Sequence, residues 1–122
     1  MASLLFVYGT LKRGCCNHHL LADQSYVGPA QTRTGFTLYD LGGYPGIVAA
    51  PEAAGVVGEV WSVDARGLSS LDGFEGVPAG LYRRESIPLQ APYDRQQVDA
   101  YLYARDVSGR PVIGAEWTEP RQ

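Results

Sequence analysis

Between Gly9 and Gly58 each β-favouring run of this chain is bounded or broken by glycine, and that punctuation constrains the fold more than any other feature. The runs in "LLFVYG", "QTRTGFTLYDL", "YPGIVAA" and "GVVGEVWSV" are rich in branched and aromatic residues, which favour strands. Glycines among them supply the bends and bulges that a tightly curved sheet requires. Residues 3–8 show no polar alternation, so the first strand is expected to be covered on both faces. Two short helices interrupt the strands. "NHHLLADQ" has Asn17 available as an N-cap, and "ARGLSSLDGFE" follows Asp64 with Leu68, Leu71 and Phe74 at a rough three-residue spacing. "LYRRESIPL" and "QQVDAYLYA" read as the last strands, joined by the turn-like "QAPYDRQ".

The expected fold class is α+β: one mostly β domain over residues 1–105, with a loosely packed C-terminal tail over 106–122. A chain of 122 residues holds one core and has no room for two ordinary domains. Its 45% hydrophobic and 19% charged content is that of a folded globular protein. The net charge of −3 leaves no surplus of Lys and Arg to neutralise a run of phosphates, which argues against nucleic acid as a partner. No segment reaches the roughly 20 apolar residues of a membrane span, and the opening "MASLLFVYG" lacks the charged lead and long apolar run of a signal peptide, so a cytoplasmic location is expected. Cys15 and Cys16 are adjacent, which disfavours a bridge between them and offers no metal-binding or redox spacing; free thiols are expected.

Two short stretches could carry chemistry. In "YGTLKRG" Gly9 lets a ligand approach the backbone, and the N–H groups of Thr10 and Leu11 could form a nest for a carboxylate or oxyanion. The stretch is no phosphate P-loop, because it lacks the GK[ST] ending, and a plain strand-to-loop turn explains the glycine equally well. In "LDGFEGVPAGLY", Glu75 falls just past the second helix between glycines. The helix C-terminus and nearby Phe74 and Leu81 would both raise its pKa, suiting it to take up a proton and return it. An exposed turn glutamate is the alternative. His18 and His19 lack metal-ligand spacing, Ser69 and Ser70 lack a nucleophile elbow, and Tyr82, Tyr101 and Tyr103 fit core positions with hydroxyls at the rim.

Taken together, "FVYGTLKRGCCNHHLL" and "GEVWSVD … LDGFEGVPAGLYRR" resemble the γ-glutamylcyclotransferase-like (AIG2-like) family, in particular its γ-glutamylamine cyclotransferase branch. The resemblance runs from about Leu5 to Tyr103. It implies a small mixed β-barrel with short helices and an acyltransferase/lyase activity that releases a free amine and 5-oxoproline from a γ-glutamyl substrate, with no cofactor and no metal. By the same resemblance Tyr8, Gly9, Thr10 and Leu11 form the substrate-binding loop, Glu75 is the catalytic acid/base, and Tyr44, Pro45, Gly46 and Ile47 form a second cavity-lining segment, although a strand entry bent by Pro-Gly explains those four residues equally well. Tyr103 is placed near that cavity. Cys15 and Cys16 stand where the family more usually has a polar residue and a proline, which bears on loop shape and hence on substrate choice. The competing reading is a non-catalytic small-anion-binding or regulatory module on the same fold. Oligomeric state is not legible.

Overall fold

The computed structural model describes residues 2–51 and 53–119. Eight strands form one mixed sheet: β1 (Ser3–Val7), β2 (Ser25–Gln31), β3 (Phe36–Asp40), β4 (Pro45–Ala49), β5 (Val57–Val63), β6 (Tyr82–Ser86), β7 (Val98–Tyr103) and β8 (Val112–Gly114). One α-helix, α1 (Ala65–Phe74), joins β5 to β6. The strands are ordered β2-β5-β1-β7-β4-β3-β8, and β6 pairs with β7 off this path. The architecture is therefore α+β as expected; the ladders among the described residues do not close the sheet into the barrel that the resemblance implies. No ladder among the described residues joins β2 to β8; only a single hydrogen bond, from Val57 N–H to Ala115 O at 2.7 Å, brings the chain after β8 back to β5.

The glycine-punctuated runs become β1, β3, β4 and β5, each a residue or more shorter than its apolar stretch. Leu5, Phe6 and Val7 are all buried, because alternate residues of β1 enter two different cores. Phe6 joins Leu38, Ile47, Val60 and Val98 on one face. Leu5 and Val7 join Trp61, Val63, Leu71 and Tyr101 on the other, which α1 covers.

Three features depart from the sequence reading. "NHHLLADQ" makes only a 3-10 turn, His18–Leu21, and Asn17 makes no side-chain cap there. β2 contains Gly28-Pro29, a pair that argues against a strand; it is tolerated at the edge of the sheet, beside a register shift between Tyr26 and Gly28, where β2 has only β5 as a ladder partner. The segment after Arg105 carries β8, paired with β3, and packs Trp117 against the core.

Pairing around β7 positions the site. Ala100 is flanked by Phe6 of β1 and Glu85 of β6, whereas Leu102, two residues on, is flanked by Ile47 of β4 and Arg83 of β6. β6 thus occupies one edge of β7, while β1 and β4 share the other in succession. The sheet forks where β1 leaves β7 and β4 takes its place. Tyr8 stands in the fork: its hydroxyl donates to Tyr101 O at 2.6 Å and accepts from Ile47 N–H at 3.3 Å.

Candidate active site

A cavity of about 320 Å³ opens at this fork, a volume suited to a small ligand. One wall is the loop that follows β1. Having left the sheet, Gly9, Thr10 and Leu11 line the cavity, and their N–H groups donate to no protein acceptor among the described residues. The loop is shaped by Lys12 N–H to Gly9 O (3.1 Å) and Asn17 N–H to Thr10 O (2.9 Å). Asn17 Nδ2 also donates to Thr10 Oγ1 at 3.0 Å. Gly9 is needed for close approach, since a Cβ there would lie 2.5 Å from Pro45 Cγ.

The facing wall is the end of α1. Asp64 caps the helix N-terminus, accepting from Gly67 N–H at 2.7 Å. At the other end Gly76 takes φ +68°, and its N–H reaches Gly73 O (3.2 Å) while Val77 N–H reaches Asp72 O (3.0 Å). These two bonds are a Schellman motif, which sets Glu75 as the C-cap and turns the chain sharply after it. The glycine after Glu75 thus fixes the place of the carboxyl group. Asp72 is in turn gripped by Arg84 (Nε to Oδ1, 2.8 Å; Nη2 to Oδ2, 3.2 Å) and by the Tyr101 hydroxyl (2.7 Å), which ties the last turn of α1 to β6 and β7.

Glu75 is the one charged residue lining the cavity among the described residues, and its carboxyl group has no hydrogen-bond partner in the protein there. Burial raises its pKa from 4.5 to about 7. The cause is desolvation beside groups such as Phe74 and Leu81, both of which line the cavity; the opposing helix dipole expected from the sequence is not needed to account for it. Burial likewise pushes the Tyr8, Tyr82 and Tyr101 hydroxyls well above their ordinary value, so they remain neutral donors. Near neutrality this is a pocket with one half-ionised carboxyl group opposite unpaired backbone donors. It can exchange a proton with a bound ligand and hold an anion.

The structure brings Tyr8, Gly9, Thr10, Leu11, Tyr44 and Glu75 around this one cavity. Gly46 and Tyr103 stand behind its wall. Gly46 is packed so closely that a Cβ would meet Leu41 Cδ1 and Tyr103 Cβ at 2.8 Å, and Tyr103 reaches the cavity only through edge contact with Tyr82, with ring centroids 5.4 Å apart. The sequence reading left out Asn17, Cys16, Tyr82 and Tyr101, all of which line the site. The adjacency of Asn17 to the loop was their only signal; Tyr82, whose hydroxyl donates to Pro45 O at 2.7 Å, and Tyr101 arrive through strand pairing. The thiols of Cys15 and Cys16 are free. No helix among the described residues is long and apolar enough to cross a membrane.

Fold and cavity together define a small α+β protein with a single carboxyl group lining a cavity of small-ligand size among the described residues. A family model described as "Gamma-glutamyl cyclotransferase, AIG2-like" matches residues 5–119, and the chain belongs to that family, a family of enzymes. It is 45% identical over 103 residues, 84% of each chain, to a Vibrio cholerae protein named "Putative gamma-glutamylcyclotransferase". It is 42% identical over 104 residues to human gamma-glutamylaminecyclotransferase, a match covering 76% of this chain and 65% of the human one. Among solved structures, an AIG2-like protein from Mus musculus superposes with a TM-score of 0.82 at 28% identity, covering 99% of this chain and 97% of that one.

Proposed function

We propose that the protein is a γ-glutamyl amine cyclotransferase, cleaving a γ-glutamyl amide to 5-oxoproline and a free amine. The observation that carries this reading is the Glu75 carboxyl group, with its pKa near 7, in the same cavity as the unpaired N–H groups of the loop after β1. The names of the human and Vibrio cholerae relatives support the substrate class.

In such a substrate the α-amine attacks its own γ-carbonyl carbon and closes a five-membered ring, so the enzyme supplies no nucleophile. Glu75, ionised, takes a proton from the α-ammonium group as the new C–N bond forms. The tetrahedral oxyanion or the α-carboxylate is held by the N–H groups of Gly9, Thr10 and Leu11. Glu75 then passes its proton to the departing nitrogen as the original amide C–N bond breaks, and relays to it the second proton that the attacking nitrogen loses in becoming the lactam N–H, so that the amine leaves as its ammonium ion and the carboxylate is regenerated. No water is consumed, and the products account for every atom of the substrate. Holding the chain folded for attack contributes several kcal/mol, and the proton transfers contribute roughly 10²–10⁴-fold. The test is 5-oxoproline release from a panel of γ-glutamyl amines, γ-glutamyl dipeptides and glutathione. Turnover of at least one class is expected, and a folded protein that released nothing from any of them would overturn the proposal.

A further inference from the structure

The C-terminal segment lies along the back of the same loop whose front faces the cavity. Glu119 spans the two with one carboxylate: Oε1 accepts from Cys16 N–H at 2.8 Å and Oε2 from Trp117 Nε1 at 3.0 Å. Trp117 packs against the core, and its carbonyl accepts from Lys12 Nζ at 2.6 Å, with Glu116 Oε2 3.9 Å from the same ammonium group. Lys12 is only 8% exposed, so its charge is satisfied almost wholly by this segment. The loop is therefore gripped at two points, Lys12 and Cys16, on either side of its tip. Cys16 lines the cavity, and the next residue, Asn17, bonds Thr10 through both its N–H and its side chain. A continuous line of hydrogen bonds runs from Trp117 through Glu119 and Cys16–Asn17 to Thr10.

We infer that residues 115–119 are a strap that holds the substrate loop in its binding shape, with Glu119 as a positioning residue acting through the Cys16 backbone. A loop that has left the sheet has no ladder to fix its N–H groups, and preorganised donors are worth far more than mobile ones. The inference rests on the loop being the substrate loop of the proposed reaction, so its test includes a readout independent of turnover.

Amide hydrogen exchange and steady-state kinetics are compared for wild type, Glu119→Gln and Glu119→Ala. Glutamine is nearly isosteric but can accept from only one of the two donors; alanine accepts from neither. With near-wild-type circular dichroism, the Cys16 and Asn17 amides are expected to exchange at least about tenfold faster in Glu119→Ala, with an intermediate effect in Glu119→Gln, in line with loss of a charge-assisted hydrogen bond. kcat/KM falls in the same order by about tenfold, while the pH midpoint of kcat stays in place because Glu75 is untouched. A rise in KM reads a loop that holds the α-carboxylate, and a fall in kcat reads one that holds the oxyanion; both support the strap. Unchanged exchange at Cys16 and Asn17 would overturn it, as would faster exchange with kcat/KM unmoved. If the wild type turns over none of the substrates, the cyclotransferase reading fails on that result alone, and the exchange data still decide whether Glu119 orders the loop.

Discussion

Replacing Glu75 by glutamine separates what the carboxyl group does for the reaction from what it costs the fold. Burial places its folded-state pKa near 7 against 4.5 for an ordinary glutamate, a difference of about 2.5 on the pH scale. Since the folded-state value is raised, the stability associated with the neutral carboxyl is fully present below 4.5. It is lost as pH rises through 7, when the unfolded chain has already released its proton. At about 1.4 kcal/mol per pH unit, the full cost above pH 7 is about 3 kcal/mol. Glutamine carries no charge at any pH and nearly the same shape. Glu75→Gln is therefore expected to be more stable than wild type by about 3 kcal/mol at pH 8 and equal to it at pH 4. Urea denaturation at a series of pH values checks this, provided the two proteins share one denaturant slope.

The same variant should lose more than about 10²-fold in kcat for 5-oxoproline release, because the amide cannot take the α-ammonium proton. In wild type, kcat/KM should rise with pH through a midpoint near 7 as the carboxylate of the free protein forms. A gain in stability bound to a loss of activity is the signature of a group kept in an unfavourable setting for function. A stability difference that stayed flat from pH 4 to pH 8 would refute the burial argument. Wild-type turnover in a folded Glu75→Gln protein would refute the acid/base assignment.

Three further outcomes follow from the geometry. Tyr8→Phe removes the hydroxyl that bridges Tyr101 O and Ile47 N–H at the fork, and should cost about 1–3 kcal/mol of stability, read by thermal or denaturant unfolding. Gly9→Ala sets a methyl group 2.5 Å from Pro45 Cγ and must displace the loop or the start of β4; about 1–3 kcal/mol of destabilisation and a fall in kcat/KM are expected from the same assays. The pKa of Asp72 is lowered despite burial, which acts to raise it, because hydrogen bonds from Arg84 and Tyr101 outweigh that burial; its contribution to stability is present above the ordinary aspartate value and is lost as pH falls through the depressed one. Asp72→Asn should therefore be less stable than wild type at pH 7 and lose that disadvantage in acid, as unfolding at pH 7 and pH 2 would show.

The parts of the site that could be read from the sequence are those fixed by local chemistry. A glycine directly after a buried strand, and a glutamate ahead of the glycine that ends a helix, are placed by backbone rules acting over a few residues: release from the sheet at Gly9 and the Schellman turn at Gly76. The parts that could not be read depend on which strand meets which. Nothing in "QQVDAYLYA" announces that β1 and β4 succeed each other along one edge of β7, so the fork and the arrival of Tyr101 at the cavity are tertiary facts. β2 was hidden by Gly28-Pro29, a pair tolerated at an edge that propensity alone does not see. The segment after Arg105 has a polar composition that conceals two anchors, the Trp117 ring against the core and the Glu119 carboxylate on the loop.

The fork also explains how the Glu75 carboxyl group at a helix end and the backbone N–H groups of a distant loop keep a common geometry. Tyr101 serves both. Its carbonyl receives the Tyr8 hydroxyl, fixing where the loop leaves the sheet, and its own hydroxyl donates to Asp72, three residues before Glu75 on α1. The Asp72 carboxylate is further clamped by Arg84, whose Nη1 also donates to Asp99 of β7 at 3.0 Å, so the last helical turn is fastened to the strand that carries Tyr101. A displacement of β7 would carry the start of the loop and the end of the helix together, leaving the distance between donors and carboxyl group nearly unchanged. Rigid elements set that spacing, while the loop's own shape depends on hydrogen bonds made after it has left the sheet. On the proposed function this division matches what the chemistry needs: proton transfer tolerates little error in distance and would fall to the sheet and helix, while the choice of ligand would fall to the loop.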